Sequence, residues 1–433
     1  MDGSDAVSSR IAPSRVSASS ARAVYALLFL TLINAFSNID RSVFSMLLPP
    51  IKRDLQLTDA VLGALSGTAF AMAYSLLTLP FAFLADRWNR KRLIAIGFGC
   101  WSAVTALTGA TVSAGQLALA RFLLGAAEAT SLAPSTSLIA DLFELRRRVL
   151  ALGVLGTSAS IGLLVSFPIV GWLAEQVGWR AAFVAVGLPG VIAALVFQLT
   201  VREPPRAAEA RVERAAILGT LRFLFGSRAY RLLLVGGALT AFEFGAFITW
   251  TPTFLMRVHH LSPAQVGALV GVARGPAGIA GSLGVGLLIS RLTRADIRWH
   301  ARVPAIAMIL LCPADLALLF SPSSTLWGAS LMLDAFLAAA VVGPCFAVAS
   351  SVSRPQMRSV AAALFLVFAG ITGQSLGPFL VGWLNDRLTP LLGLESVRFS
   401  LAFATGGALL GGIAYWLCGG FMPEDAQRAA GPH

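Results

Sequence analysis

Charge is scarce in these 433 residues: Asp, Glu, Lys and Arg together make up 12%, about half the share found in soluble domains. Histidine and cysteine number only four each. His259, His260 and His300 fall in expected loops and His433 in the tail. No His-Glu-x-x-His run and no phosphate-cradling loop occurs, so metallohydrolase and nucleotide-dependent chemistry have no residues to stand on and no enzyme is expected. Cys100, Cys312, Cys345 and Cys418 lie inside apolar runs, at spacings that suit neither zinc nor a disulfide framework. They read as small buried hydrophobes, and neither a metal nor an organic cofactor is expected. Also missing is the ten-residue polar–apolar alternation of a membrane β-barrel. Tyrosine is rare, 4 against 27 Phe, which favours an apolar wall over a sugar-stacking site.

Apolar residues make up 57% of the chain. About twenty consecutive ones cross a bilayer as a helix. Twelve such runs appear, at about 23–50, 58–85, 92–112, 115–140, 148–174, 180–201, 229–256, 263–290, 301–321, 324–350, 356–384 and 396–420. The expected fold is an all-α membrane protein with twelve transmembrane helices. The formal charge of +12 is not read as a nucleic-acid signal, because Lys and Arg gather in alternate loops, as in Arg87-Trp88-Asn89-Arg90-Lys91-Arg92 and Arg146-Arg147-Arg148. That is the positive-inside pattern, with contact to anionic membrane lipids as a secondary role. It predicts a multi-pass protein of a bacterial inner (plasma) membrane with both termini cytoplasmic, and the expected working unit is a monomer. Residues 1–22, rich in Ser, Ala and Arg, read as a disordered cytoplasmic tail. Residues 202–228 read as a charged cytoplasmic linker between bundles at 23–201 and 229–420, and 421–433 as a second tail.

The linker divides the spans six and six, and the halves repeat faintly. Leu57-Thr58 and Gly63-Ala64-Leu65 recur as Leu261-Ser262 and Gly267-Ala268-Leu269, an offset of 204. Ala133-Pro134 recurs as Gly343-Pro344 at 210, and Val170-Gly171-Trp172-Leu173 as Val381-Gly382-Trp383-Leu384 at 211. Three matches at nearly one offset predict two pseudo-symmetric six-helix bundles.

This plan resembles the major facilitator superfamily, in which cargo binds near the midplane between two halves that rock around it. Ala82-Phe83-Leu84-Ala85-Asp86-Arg87-Trp88-Asn89-Arg90-Lys91-Arg92 resembles its signature loop, although Ala82 and Asn89 stand where glycines are usual. The stretches Asn38-Ile39-Asp40-Arg41, Arg121-Phe122-Leu123-Leu124-Gly125-Ala126-Ala127-Glu128, Leu138-Ile139-Ala140-Asp141-Leu142-Phe143, Gly178-Trp179-Arg180 and Arg202-Glu203-Pro204-Pro205-Arg206 together look like the Spinster family of lysolipid and sphingolipid transporters. The likeness is strong over about residues 25–206 and weaker beyond. The Asp-Arg and Arg/Glu pairs also occur in anion:cation symporters of sugar acids, so these motifs alone do not separate the two cargo classes.

Charges inside apolar runs are expensive, roughly 2.5 to 3.5 kcal/mol each on insertion scales, and mark function. Arg121 and Glu128 are two helical turns apart and share a face. Asp40 and Arg41 are about 100° apart around a helix, so only one can point straight at a cavity. Asn34 and Asn38 add a polar stripe leading to Asp40. The superfamily resemblance implies that spans 1, 4, 7 and 10 line the cavity, and each carries one acid: Asp40, Glu128, Glu243 and Asp334. The arginines at similar depth are Arg41, Arg121 and Arg274, so at least one ionised acid lacks a full partner. Burial without a partner favours the protonated form of a carboxyl group, which is what a proton carrier requires. The expectation is proton coupling at Asp40 and Glu128, with Arg41 and Arg121 gripping an oxyanion. Glu243 and Asp334 are candidates for pairing across the interface. Arg274 is open between head-group binding and snorkelling, and Gln374 between cargo and helix-to-helix bonding; Asp315 reads as structural. Asp86, Arg87, Arg90, Asp141, Arg147 and Arg148 form the expected cytoplasmic gate, with Asp86 pairing to Arg147 or Arg148 in one state. The whole reads as a proton-coupled secondary transporter of an amphipathic anionic lipid, lysophospholipid or sphingosine-1-phosphate-like, working by alternating access. The alternative cargo is a small organic anion such as a sugar acid.

Overall fold

The computed structural model describes residues 20–204 and 217–431, so most of the expected N-terminal tail and the middle of the linker lie outside the described residues. The described chain forms twelve spans: Ser20–Leu55, Asp59–Arg87, Arg90–Thr108, Ala114–Glu128 with Leu132–Leu142, Leu145–Gly156 with Ser158–Gln176, and Gly178–Thr200, then Arg228–Val258, Pro263–Leu292, Trp299–Phe320, Ser324–Ala338 with Val342–Ser351, Arg358–Gly370 with Gly377–Leu392, and Ser396–Ala430. By length and apolarity alone, nine stretches of the described residues qualify as crossing a membrane. The last, Pro355–Ala430, holds two spans that part at Gly393, whose φ of 57° suits glycine. The third and fourth spans are not among the nine: Arg90-Lys91-Arg92 opens one, and the other carries Arg121 and Glu128. Three boundaries differ from expectation. The linker contains a helix, Ile217–Phe225; the last span runs on to Ala430 through the expected second tail; and His300 lies in the first turn of the ninth span rather than in a loop.

The fourth and tenth spans break at 129–131 and 339–341, with the ends on either side of each break matching at an offset of 210. Proline explains both breaks. Pro134 and Pro344 have no N–H for the carbonyl four residues earlier, and their rings crowd it, so the helix opens at Thr130 and Ala340. The sequence repeat is therefore a repeat of structure, and Glu128 becomes the last residue before the break in its half.

Leu188, Ile192, Leu195 and Leu199 recur at helical spacing along the sixth span and are 52–83% exposed, an outward stripe that water would not tolerate and lipid would. The buried core is forked. Toward the termini each half keeps its own cluster, around Phe98, Trp101 and Phe197 in the first and Tyr230, Leu311 and Tyr415 in the second. At the opposite face one cluster joins both halves through Phe44, Phe167, Trp250 and Phe254. Backbones touch along this seam. A Cβ on Gly67 would stand 1.4 Å from the carbonyl of Gln374, and one on Gly267 2.2 Å from that of Phe167.

Two acids close the seam by capping helices of the other half. Asp386 of the eleventh span accepts the backbone N–H groups of Asp59 (3.0 Å) and Ala60 (2.8 Å) at the start of the second span. Glu175 of the fifth span, 211 residues earlier, accepts Ser262 Oγ (2.8 Å) and the Ala264 N–H (3.2 Å) at the start of the eighth. Each carboxylate satisfies orphan donors at the positive end of a helix dipole. Asp59 also pairs with Lys52 at 2.6 Å and, across the seam, with Arg257. Asp386→Asn weakens one cap by about 1 kcal/mol, a factor of roughly five between open and closed populations. Spin-label distances across this face are expected to show a larger open fraction in the variant, and an unchanged distribution would remove Asp386 from the latch.

Candidate functional site

Two buried charge clusters occupy the middle of the membrane region, one in each half. In the first half, Glu128 Oε2 accepts Ser37 Oγ at 2.6 Å and Arg41 Nη2 at 2.7 Å, and Arg41 Nη2 also donates to Ser37 Oγ at 2.9 Å. Ser37 and Arg41 are one turn apart on the first span, so a single face of that helix meets the end of the broken fourth span. The Arg41 side chain is 36% exposed while that of Glu128 is 1% exposed. Arg41 is therefore the accessible member of a pair whose acid is sealed. Phe70 lies 5.0 Å from its guanidinium.

Arg121 is placed differently from expectation. It does not pair with Glu128 but donates to the carbonyls of Leu65 (3.1 Å) and Ser66 (2.6 Å) on the second span. Its guanidinium lies 4.6 Å from the Phe44 ring and 5.5 Å from that of Phe70. Asp40 turns into the bundle: Thr105 of the third span donates to its Oδ1 at 3.0 Å, and its Oδ2 has no partner. The geometry of adjacent helix positions thus holds, with Arg41 outward and Asp40 inward, and Asp40 is not a cavity acid in this arrangement. Asn34 and Asn38 donate to carbonyls one turn back in their own helix, at 2.9 and 2.8 Å, so the polar stripe is satisfied locally.

In the second half, Glu243, Asp315 and Asp334 come from the seventh, ninth and tenth spans. Each presents a carboxylate oxygen within 4.8 Å of the other two, and all three residues are buried. Arg274 of the eighth span, 3% exposed, forms an ion pair with Asp334. This removes both earlier readings of Arg274, since a sealed and paired guanidinium neither snorkels nor stands free for a head group. It also moves Asp315 from a structural acid to a member of the cluster. Gln374 sits in a π-helical turn, Ile371–Leu376, whose backbone packs on Gly67, and beside it Ser375 donates to Thr68 across the halves at 2.9 Å.

Of the expected gate, Arg90 is the buried centre. It reaches Asp141 at 2.6 Å, Ser137 Oγ at 2.8 Å and Glu203 at 3.2 Å. Glu203 also accepts the N–H groups of Arg90 (3.1 Å) and Lys91 (3.0 Å), capping the third span. Asn89, standing where the resemblance leads one to expect glycine, accepts from the Arg92 N–H at 2.8 Å and caps the same helix. Arg148 donates to the Ala140 carbonyl at 2.6 Å, and Arg147 and Arg87 are exposed. The Asp86 side chain lies outside the described residues.

The residues missed in the sequence are Ser37, Thr105, Asp315, Glu203 and the latch of Asp59, Arg257, Asp386 and Glu175. Ser37 had a usable signal, one turn before Arg41. The others meet partners tens to hundreds of residues away, and no spacing rule reports such contacts.

Residues 30–378 match the Major Facilitator Superfamily. A protein described as an MFS-type efflux pump from Mycolicibacterium smegmatis is 32% identical over 412 residues, covering 94% of this chain and 95% of that protein. The probable galactarate/D-glucarate transporter GudP of Bacillus subtilis is 26% identical, covering 91% of each. Among solved structures, a bacterial homologue of the human lysosomal transporter Spinster, in an inward-facing and unoccupied conformation, superposes with a TM-score of 0.82 at 25% identity, covering 94% of this chain and 99% of the other.

Proposed function

The chain belongs to the Major Facilitator Superfamily and is a membrane transporter related to Spinster, and on that premise we propose that it moves an amphipathic anionic lipid, coupled to protons, by alternating access. The observation that carries this reading is the Glu128–Arg41 pair: a sealed acid holding the accessible arginine of its cluster. A proton on Glu128 removes the charge that holds Arg41, and the freed guanidinium offers a planar fork to a phosphate or carboxylate. The Phe70 ring, 5.0 Å from that guanidinium and 1% exposed, backs the arginine from inside the bundle. The closed seam opposite the termini fits the stage open toward the termini, and the positive-inside rule puts that side in the cytoplasm. Release would require the Asp386 and Glu175 caps to let go, opening the other face.

A second reading, a symporter of small organic anions, draws on the likeness to GudP and uses the same pair. Proteoliposomes with an imposed pH gradient separate the two. Uptake of a fluorescent lysophospholipid, with glucarate excluded, is the expected result; uptake of glucarate alone would replace the lipid reading by the second.

A further inference from the structure

We propose that Glu243 and Asp315 share a bound proton, which makes the second half a proton site of its own, separate from the Glu128–Arg41 pair. Three buried carboxylates face one guanidinium, and that guanidinium is committed to Asp334. With all groups ionised, Glu243 and Asp315 would hold two negative charges in a low-dielectric interior, with carboxylate oxygens within 4.8 Å of each other and only Arg274, already paired with Asp334, to offset them.

Hydrogen bonding is the independent observation. Asp315 is 1% exposed and neither of its carboxylate oxygens has a hydrogen-bond partner; Glu243, also 1% exposed, leaves Oε1 unpartnered. These acceptors thus lie in one buried cluster with no donor bonded to them. A single proton turns one into an O–H donor for the other and removes one of the two uncompensated charges.

Among the described residues, the neighbouring elements bring one group of opposite charge, Arg274, paired with Asp334 and with its Nε making no hydrogen bond. The seventh span brings Glu243, the eighth Arg274, the ninth Asp315 with Cys312 one turn earlier, and the tenth Asp334. On the twelfth span, a Cβ at Gly407 would stand 3.5 Å from that of Glu243, so the helix contributes bare backbone there. Its nearest titratable group, Tyr415, is held by Thr240 at 3.1 Å. A metal ion fits poorly, because Arg274 already brings a fixed positive charge into the cluster and pairs with one of the three carboxylates.

The inference extends the proton-coupling reading to the second half, but its test needs no cargo and so stands apart from that reading. Infrared spectra of the purified full-length protein in nanodiscs at pH 7 report protonated carboxyls through their C=O stretch. Asp315→Asn and Glu243→Gln, both near-isosteric, are each expected to remove about one carboxyl's share of that band while the protein stays monodisperse. A band unchanged in both variants overturns the proposal. A band that grows when sodium is replaced by choline in the wild type also overturns it, because sodium would then be the occupant. If either variant fails to fold, titrating the wild-type band against the other decides. Separately, absence of pH-driven uptake by the wild type would defeat the transport reading and leave this one standing.

Discussion

Replacing Glu128 by Gln is expected to abolish uptake driven by a pH gradient while leaving the protein folded and able to exchange cargo across a membrane. The amide oxygen still accepts from Ser37 and Arg41, so the contacts of 2.6 and 2.7 Å survive in shape. What disappears is the charge and the ability to take up and release a proton. A hydrogen bond to a charged group contributes about 1.5–3 kcal/mol, and its loss frees Arg41 in every state of the cycle. Binding then no longer depends on protonation, and the driving force that a gradient provides is disconnected. Counterflow, measured with labelled cargo inside and outside, should persist within roughly threefold, whereas accumulation against a gradient should fall by at least about tenfold, the equivalent of ~1.4 kcal/mol of lost coupling. Accumulation that keeps its pH dependence in Glu128→Gln would move the coupling proton elsewhere. Asp40 is the weaker candidate within the same half, because it faces Thr105 inside the bundle while Glu128 touches the accessible Arg41.

The sequence showed its periodicities more readily than its contacts. Twelve apolar runs, the six-and-six division and the repeat near 210 were all legible, because a helix must cover about 30 Å of hydrocarbon and related halves keep their lengths. The breaks at 129–131 and 339–341 were implicit in Pro134 and Pro344, which sat in the repeat as matched residues, although their effect on the helix became visible only in the fold. The charged residues were legible as costly and therefore significant, but not their partners. Arg121 and Glu128 share a face by spacing and still go to different neighbours, because the second span brings carbonyls and rings to Arg121 and the first brings Arg41 to Glu128. Asp315 looked peripheral since span order says nothing about which way a side chain points across a bundle. The caps by Glu175 and Asp386 were hidden more deeply: each acid sits near the end of a span, where charge is ordinary, and its meaning lies in a helix start of the opposite half.

Arg121→Ala is expected to damage the fold more than the binding of cargo, the reverse of what its place in an apparent Arg–Glu motif suggests. The side chain is buried, donates to two carbonyls of the second span and lies between two aromatic rings. Each bond from a charged donor contributes roughly 1.5–3 kcal/mol, and cation–π contacts in a desolvated setting add about 1–2 kcal/mol. Both carbonyls belong to a helix and keep partners of their own, which lowers the expected loss to about 3–4 kcal/mol. The guanidinium also ties the fourth span to the second at Leu65 and Ser66, next to Gly67, where the second span meets the eleventh across the seam. Its removal should therefore loosen the first half internally and blunt the edge that closes the far face. Thermal unfolding followed by size-exclusion fluorescence should show a drop of about 4 °C for Arg121→Ala, with partial recovery in Arg121→Lys, which restores the charge but not the fork. Arg41→Ala provides the contrast, a tenfold or greater loss of affinity for the anionic cargo, while Ser37 still donates to the Glu128 carboxylate at 2.6 Å. Should Arg121→Ala instead keep its thermal midpoint and lose affinity, Arg121 would be the cargo arginine, and the aromatic rings around it would be the walls of the binding site.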